Sequence, residues 1–209
     1  RPRVSIGSKL SADLLSTAGV DRIITMDLHA DQIQGFFNVP VDHLFGSAIF
    51  APYIEALKLD NLTVSAPDMG GSKRANAYSR HLQAEMVLCY KLRKKPNVVE
   101  EMSVIGEVEG RNVVIIDDMV DTAGTLVLAA DMMKEKGAKS IRAFATHPIL
   151  SGNAVERINN SAIEELVVTD SVPFNSSSDK IKVLSIAQIF ARTIQAVTNN
   201  SSISTNFVF

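Results

Sequence analysis

The stretch Val113-Val114-Ile115-Ile116-Asp117-Asp118-Met119-Val120-Asp121-Thr122-Ala123-Gly124-Thr125 decides the fold. Four β-branched residues in a row have no polar face, so they read as a strand buried on both sides. The carboxylates and small residues from Asp117 to Thr125 then read as a polar turn, and a helix is expected from there through Lys136, with Gly137 as its stop. Ile141 to Thr146 reads as the next strand. Strand, helix and strand in that order form a βαβ unit, which places its two strands in parallel and the chain in the α/β class.

The same alternation continues outward. Ser8 to Leu15 reads as a helix stopped at Ala18-Gly19, and Arg22 to Met26 as a strand that ends at Asp27-Leu28-His29. Ala48 to Leu57 is expected as a helix. The strand from Leu62 to Ala66 runs into Pro67-Asp68-Met69-Gly70-Gly71-Ser72-Lys73-Arg74, and is followed by a helix from Ala75 to Leu82 and a strand from Glu85 to Tyr90. Strands at Leu166 to Thr169 and Ile181 to Leu184 flank a polar loop, and Ile186 to Val197 reads as a final helix. Ligands of open parallel sheets sit at the carboxyl ends of strands, where this chain gathers its acids, glycines and histidines.

Composition narrows the function classes. The chain has 209 residues, 46% hydrophobic and 21% charged, with a net charge of -2. That suffices for one large or two small domains and supplies no global positive field for nucleic acid or an anionic membrane. Cys89 is the single cysteine and lies in an apolar run, which suits a buried thiol in a reducing cytoplasm. No apolar stretch reaches membrane-spanning length. The start at Arg1-Pro2-Arg3-Val4, without methionine or signal peptide, reads as that of a fragment.

The chemistry follows from the turn. Backbone N–H groups at a helix start, with the Thr122 and Thr125 hydroxyls, suit a phosphate, and Gly124 lets the backbone approach it. Carboxylates there would repel a phosphate, so they fit sugar hydroxyls or a metal ion; a phosphorylated sugar satisfies both halves. A plainer reading has Asp121-Thr122 as a helix cap and Asp117-Asp118 as a solvated strand end. Asp27 and His29, two apart, can point to one side and hold a divalent metal or exchange protons. Asp68 with Gly70, Gly71, Lys73 and Arg74 combines a carboxylate, close backbone approach and two cations. Lys91-Leu92-Arg93-Lys94-Lys95 is the one dense basic run, and reads as a solvated loop or as a cationic lid over transferring phosphates. His147 is expected to begin a turn and helix, and His43 and His81 to be surface or packing residues.

Asp117 to Thr125 after four apolar residues resembles the phosphoribosyl pyrophosphate signature of the type I phosphoribosyltransferase fold. From Arg3 to about Phe207 the chain resembles the ribose-phosphate diphosphokinase family in its bacterial form, over that family's later two thirds. Thr25 to Phe37 carries the likeness to the family's metal and ATP segment, and Lys91 and Arg93 match its catalytic-loop cations. The resemblance implies one complete domain of parallel sheet flanked by helices, at 46–197. It also implies a remnant of a second similar domain at 1–45, with 198–209 packing back on it.

The implied reaction moves the β,γ-diphosphoryl group of ATP to ribose 5-phosphate. Asp121, Thr122, Ala123, Gly124 and Thr125 would hold the 5-phosphate, Asp117 and Asp118 the ribose hydroxyls, and His29 and Asp68, with Asp27 nearby, the Mg2+. A cytoplasmic homo-oligomer, a hexamer built from dimers, is implied as well. Asp42 matches an acidic family position while Asn38 departs from one, which puts an accessory cation site in doubt. The family's first third supplies ATP contacts, so little or no AMP is expected from this chain alone. A phosphoribosyltransferase shares the loop but leaves the Asp27 to Phe37 segment and the basic run unexplained. A non-catalytic synthetase-associated homologue is opposed by intact Lys91, Arg93 and His29.

Overall fold

The structure is a computed structural model that describes residues 6–92, 101–175, 177–204 and 207–208. Its strands are β1 (Ile23–Met26), β2 (Val41–Leu44), β3 (Leu62–Ala66), β4 (Glu85–Leu92), β5 (Glu101–Ile105), β6 (Asn112–Val120), β7 (Ser140–Pro148), β8 (Glu165–Thr169) and β9 (Ile181–Leu184). Its α-helices are α1 (Gly7–Thr17), α2 (Ser47–Ala56), α3 (Ser72–His81), α4 (Gly124–Glu135), α5 (Ala154–Asn159) and α6 (Ala187–Thr198). Seven strands form one sheet in the order β5-β4-β3-β6-β7-β8-β9, while β1 and β2 pair separately in parallel. Every pairing in the large sheet is parallel except β4 with β5. This is the α/β class expected from the sequence.

The apolar run in β6 organises both layers. Side chains alternate along a strand, so Val113 and Ile115 enter one core with Leu126, Ala129, Ala130 and Met133 of α4. Val114 and Ile116 enter the other, with Phe50, Ala51 and Ile54 of α2 and Ala75 and Tyr78 of α3. All four are fully buried, and each such side chain contributes roughly 1.5–3 kcal/mol by leaving water. Gly137 ends the helical hand at φ +90°, as glycine allows.

Several boundaries differ from the sequence reading. β6 does not end at Ile116 but runs to Val120, because β7 extends alongside it to the pairs Met119 with His147 and Val120 with Pro148. Asp117 and Asp118 therefore lie inside the strand, and the turn shrinks to 121–123. His147 likewise lies in β7 and starts no helix; α5 begins at Ala154. Strands β2 and β5 were not foreseen. In β2 the polar residues are buried by partners: the Arg22 guanidinium donates to both oxygens of Asp42, at 2.5 and 3.0 Å. Buried His43 accepts the Leu28 N–H at Nε2, at 2.9 Å. It is thus a packing residue, as anticipated, and burial holds its pKa below the usual 6.5.

A buried carboxylate joins the two sheets. Asp27, 5% exposed and at φ +42°, follows β1. Its Oδ2 accepts the Gly46 N–H at 2.9 Å and the Thr146 hydroxyl of β7 at 2.5 Å. Next to it His147 Nε2 donates to the carbonyls of Met26 and Asp27, each at 3.1 Å. Gly46 is required by space: a Cβ there would stand 2.5 Å from Thr146 Oγ1 and 2.7 Å from Asp27 Oδ2.

Gly46→Ala is therefore expected to destabilise the fold by about 1–3 kcal/mol, read as a lower urea midpoint at unchanged slope. For His43 the unfolded chain takes up its proton at higher pH than the folded chain, so stability falls as pH drops through about 6.5. His43→Gln should flatten that decline in urea midpoints measured from pH 8 to 5.5.

Candidate functional site

The carboxyl end of β6 carries two carboxylates with unequal surroundings. Asp118 is 6% exposed. Its Oδ1 accepts from Arg74 Nη1 of α3 at 3.2 Å, and its Oδ2 accepts from His29 Nδ1 at 2.8 Å. Asp117 accepts the Asp118 N–H at 2.9 Å and lies 4.0 Å from Arg74. Two acids so close cannot both ionise freely. Burial, then the neighbouring Asp118, pushes Asp117 up to about 7; burial would raise Asp118 too, but the bond from His29, the Asp117 side chain and the charge of Arg74 keep it below the usual carboxylate range. The pair thus holds a proton on Asp117 below neutrality.

The following turn is a cradle. Ala123 adopts the left-handed conformation at φ +60°, and α4 starts at Gly124 with no side-chain cap, so its first amides remain available to an anion. Three bonds fix the turn from behind: Leu150 N–H to the Val120 carbonyl, Ser151 N–H to the Asp121 carbonyl, and Arg157 Nη1 to the Thr122 carbonyl, each at 3.0 Å. Asp121 and Thr122 are exposed, and Gly124 and Thr125 half-buried. A Cβ on Gly124 would stand 3.5 Å from Arg157 Nη1.

Asp68 follows β3, where its Oδ1 accepts the N–H groups of Gly70 at 2.8 Å and Gly71 at 3.3 Å. These bonds fix the carboxylate, and the residue remains exposed. Lys73 Nζ is 3.6 Å from Asp31. The side chain of His29 is 74% exposed, so its Nε2 faces outward while Nδ1 is tied to Asp118. Asp27 does not join it: the expectation that the two share one side fails because Asp27 leaves the strand at positive φ and buries its carboxylate against Gly46 and Thr146.

Among the described residues no three or more His, Cys, Asp or Glu side chains form a metal-holding group. His29 and Asp68 each offer a donor to Mg2+, which keeps much of its shell for water and phosphate oxygens; buried Asp27 does not fit that role. Lys91 is placed by its backbone within β4, opposite Met102 of β5. Arg93, Lys94 and Lys95 lie outside the described residues.

Sequence reasoning missed the parts played by Arg74, Thr146, Arg157 and Ser171, the last bonded to His147 Nδ1 at 2.9 Å. Arg74 was visible as a cation beside Asp68, but its partner stands 44 residues away. A cleft of about 680 Å3 lies elsewhere, at the amino ends of β3 and β4, where His81 pairs with Glu55 and Arg111 with Glu85.

The Asp117 carboxyl should titrate near pH 7 in carbon NMR. Because the folded chain retains a proton that the unfolded chain gives up near 4, this group makes stability fall as pH rises from about 4 to 7. Asp118→Asn removes the neighbouring charge and should bring the midpoint down.

Residues 64–208 match the family model of the phosphoribosyl synthetase-associated domain. A ribose-phosphate pyrophosphokinase of Porphyromonas gingivalis is 53% identical over 210 residues, covering 100% of this chain and 67% of its own. One from Wolinella succinogenes is 49% identical over 207 residues, covering 99% and 67%. The crystal structure of phosphoribosylpyrophosphate synthetase from Mycobacterium smegmatis superposes with a TM-score of 0.89 at 37% identity, covering 96% of this chain and 66% of that one. The chain thus spans about two thirds of the length of its relatives. By these likenesses the chain belongs to the ribose-phosphate pyrophosphokinase family.

Proposed function

We propose that the chain carries the ribose 5-phosphate half of an ATP-dependent diphosphokinase that forms phosphoribosyl pyrophosphate. The supporting observation is the order of groups at the end of β6: paired acids, then the uncapped start of α4, with exposed His29 fixed to the second acid.

The amides and hydroxyls of Asp121, Thr122, Ala123, Gly124 and Thr125 hold the 5-phosphate. Asp117, once ionised, accepts the ribose hydroxyls. The 1-hydroxyl oxygen forms a bond to the β-phosphorus of ATP, the α–β bridge breaks, AMP leaves with the bridging oxygen, and the hydroxyl proton is lost to solvent. Mg2+, held by His29 and Asp68, supplies charge neutralisation to the diphosphate. Lys91 and Arg93 place positive charge where the equatorial oxygens gather it. No protein nucleophile is needed, because orientation and electrostatics dominate this chemistry.

The domain reading is a remnant at 1–45, with 198–209 against it, and a complete domain at 46–197. It is supported by the separate β1–β2 sheet and by the Phe45–Phe207 ring contact, 6.1 Å between centroids. The family's cytoplasmic homo-oligomer goes with this reading, and buried Cys89 suits a reducing compartment. Among the described residues no helix is long and apolar enough to cross a membrane. The description of the matching family model favours a second reading, a non-catalytic synthetase-associated subunit. Lys91, Arg93, His29 and the Asp117 to Thr125 run favour the enzyme.

Calorimetric titration of the chain with ribose 5-phosphate is expected to give saturable heat that Asp121→Ala weakens; unchanged heat in that variant would remove the loop assignment. In a chain of the relatives' full length, Lys91→Ala should slow AMP release roughly 10²–10³-fold with ribose 5-phosphate binding retained. An equal loss in both would contradict the transition-state role.

A further inference from the structure

We propose that Arg157 is a positioning residue for the sugar phosphate: from behind the turn at 121–123 its guanidinium holds the Thr122 carbonyl, and so keeps the next amide, that of Ala123, facing the anion. This rests on the proposed binding of a 5-phosphate at that turn.

Three successive carbonyls of the turn point one way. Val120 accepts from the Leu150 N–H, Asp121 from the Ser151 N–H and Thr122 from Arg157 Nη1, each at 3.0 Å. A planar trans peptide sets its C=O and its N–H on opposite sides, so the amides of Asp121, Thr122 and Ala123 face away from α5. The first two planes are held by backbone donors, and the third by a side chain alone. That third plane is also the one with a reason to turn. Ala123 stands at φ +60°, a left-handed conformation that costs any residue with a Cβ. Turning the Thr122–Ala123 peptide over moves this φ by about half a circle, to the negative side that suits alanine. The Thr122 oxygen would then replace the Ala123 N–H, and two oxygen-borne negative charges would meet where a phosphate is held.

α5 gives the guanidinium a firm base. Ala154 and Ile158 of this helix are fully buried. Past its end, Lys180 Nζ donates to the carbonyls of Ile158 at 3.4 Å and Ser161 at 2.9 Å. Arg157 is exposed, and among the described residues it pairs with no carboxylate; its bond goes to the Thr122 carbonyl. Nη1 lies 3.5 Å from where a Cβ on Gly124 would stand, so the cation sits at the start of α4, where the helix dipole opposes it. The carbonyl, not the helix, accounts for its place.

The test compares Arg157→Ala and Arg157→Lys, and Arg157→Ala added to Ala123→Gly, in the 209-residue chain. Calorimetry reads ribose 5-phosphate, and amide NMR reads inorganic phosphate at Ala123. Arg157→Ala should weaken ribose 5-phosphate roughly tenfold, as the share of chains with the amide outward falls to about a tenth. Its urea midpoint should stay that of wild type. Arg157→Lys, which keeps one donor, should lie between. Added to Ala123→Gly, Arg157→Ala should cost only about two- to threefold, because glycine accepts either orientation of the plane. A guanidinium that acted by touching the phosphate would cost the same in both backgrounds, and that result overturns the proposal. So does unchanged affinity in Arg157→Ala, or a wild-type Ala123 amide that does not respond to inorganic phosphate. A wild-type chain that takes up no ribose 5-phosphate would instead defeat the proposed function, and the same variants titrated with inorganic phosphate would still decide the role of Arg157.

Discussion

One buried carboxylate sets where the imidazole of the site stands. Asp27 accepts from the Gly46 amide and the Thr146 hydroxyl, and so ties the end of the small sheet to the centre of the large one. A buried acid is tolerable because both partners are donors aimed at one oxygen. Removing either would leave a charged group short of a bond in a place that water does not reach. His29 lies two residues beyond this anchor, so the imidazole reaches Asp118 from a fixed base.

From that anchor the electrostatics follow. Arg74 and His29 converge on Asp118 and hold it ionised; its charge, added to burial, keeps a proton on Asp117. One cation and one imidazole thus sort two identical side chains into different states. The uncapped start of α4 adds partial positive charge beside them. Carboxylate acceptors and backbone donors therefore stand close along the chain without opposing each other.

Much of this was legible in the sequence, for physical reasons. Val113 to Ile116 could only be a doubly buried strand, and the acids and glycine after it could only sit at its carboxyl end. The small apolar strands hidden behind polar residues were not legible, since Asp42 and His43 are buried by Arg22 and the Leu28 amide, which periodicity does not report. The pairing of Asp27 with His29 misled because alternation by two holds only within a strand, and Asp27 has already turned left-handed. The tie between His29 and Asp118 spans 89 residues and has no local signature.

That separation has a consequence for assembly. The contacts of the turn at 121–123 and of Asp68 are mostly local: Gly70 to Asp68 spans two residues and the Arg157 bond to Thr122 spans 35. The ties of His29 and Asp27 depend on closures of 89 and 119 residues. Loop-closure entropy grows with chain length, and distant pairings are gained late in folding. The turn is therefore complete once α5 packs behind it, whereas the imidazole waits for distant parts of the chain to meet. The two halves of one site consequently have different contact orders.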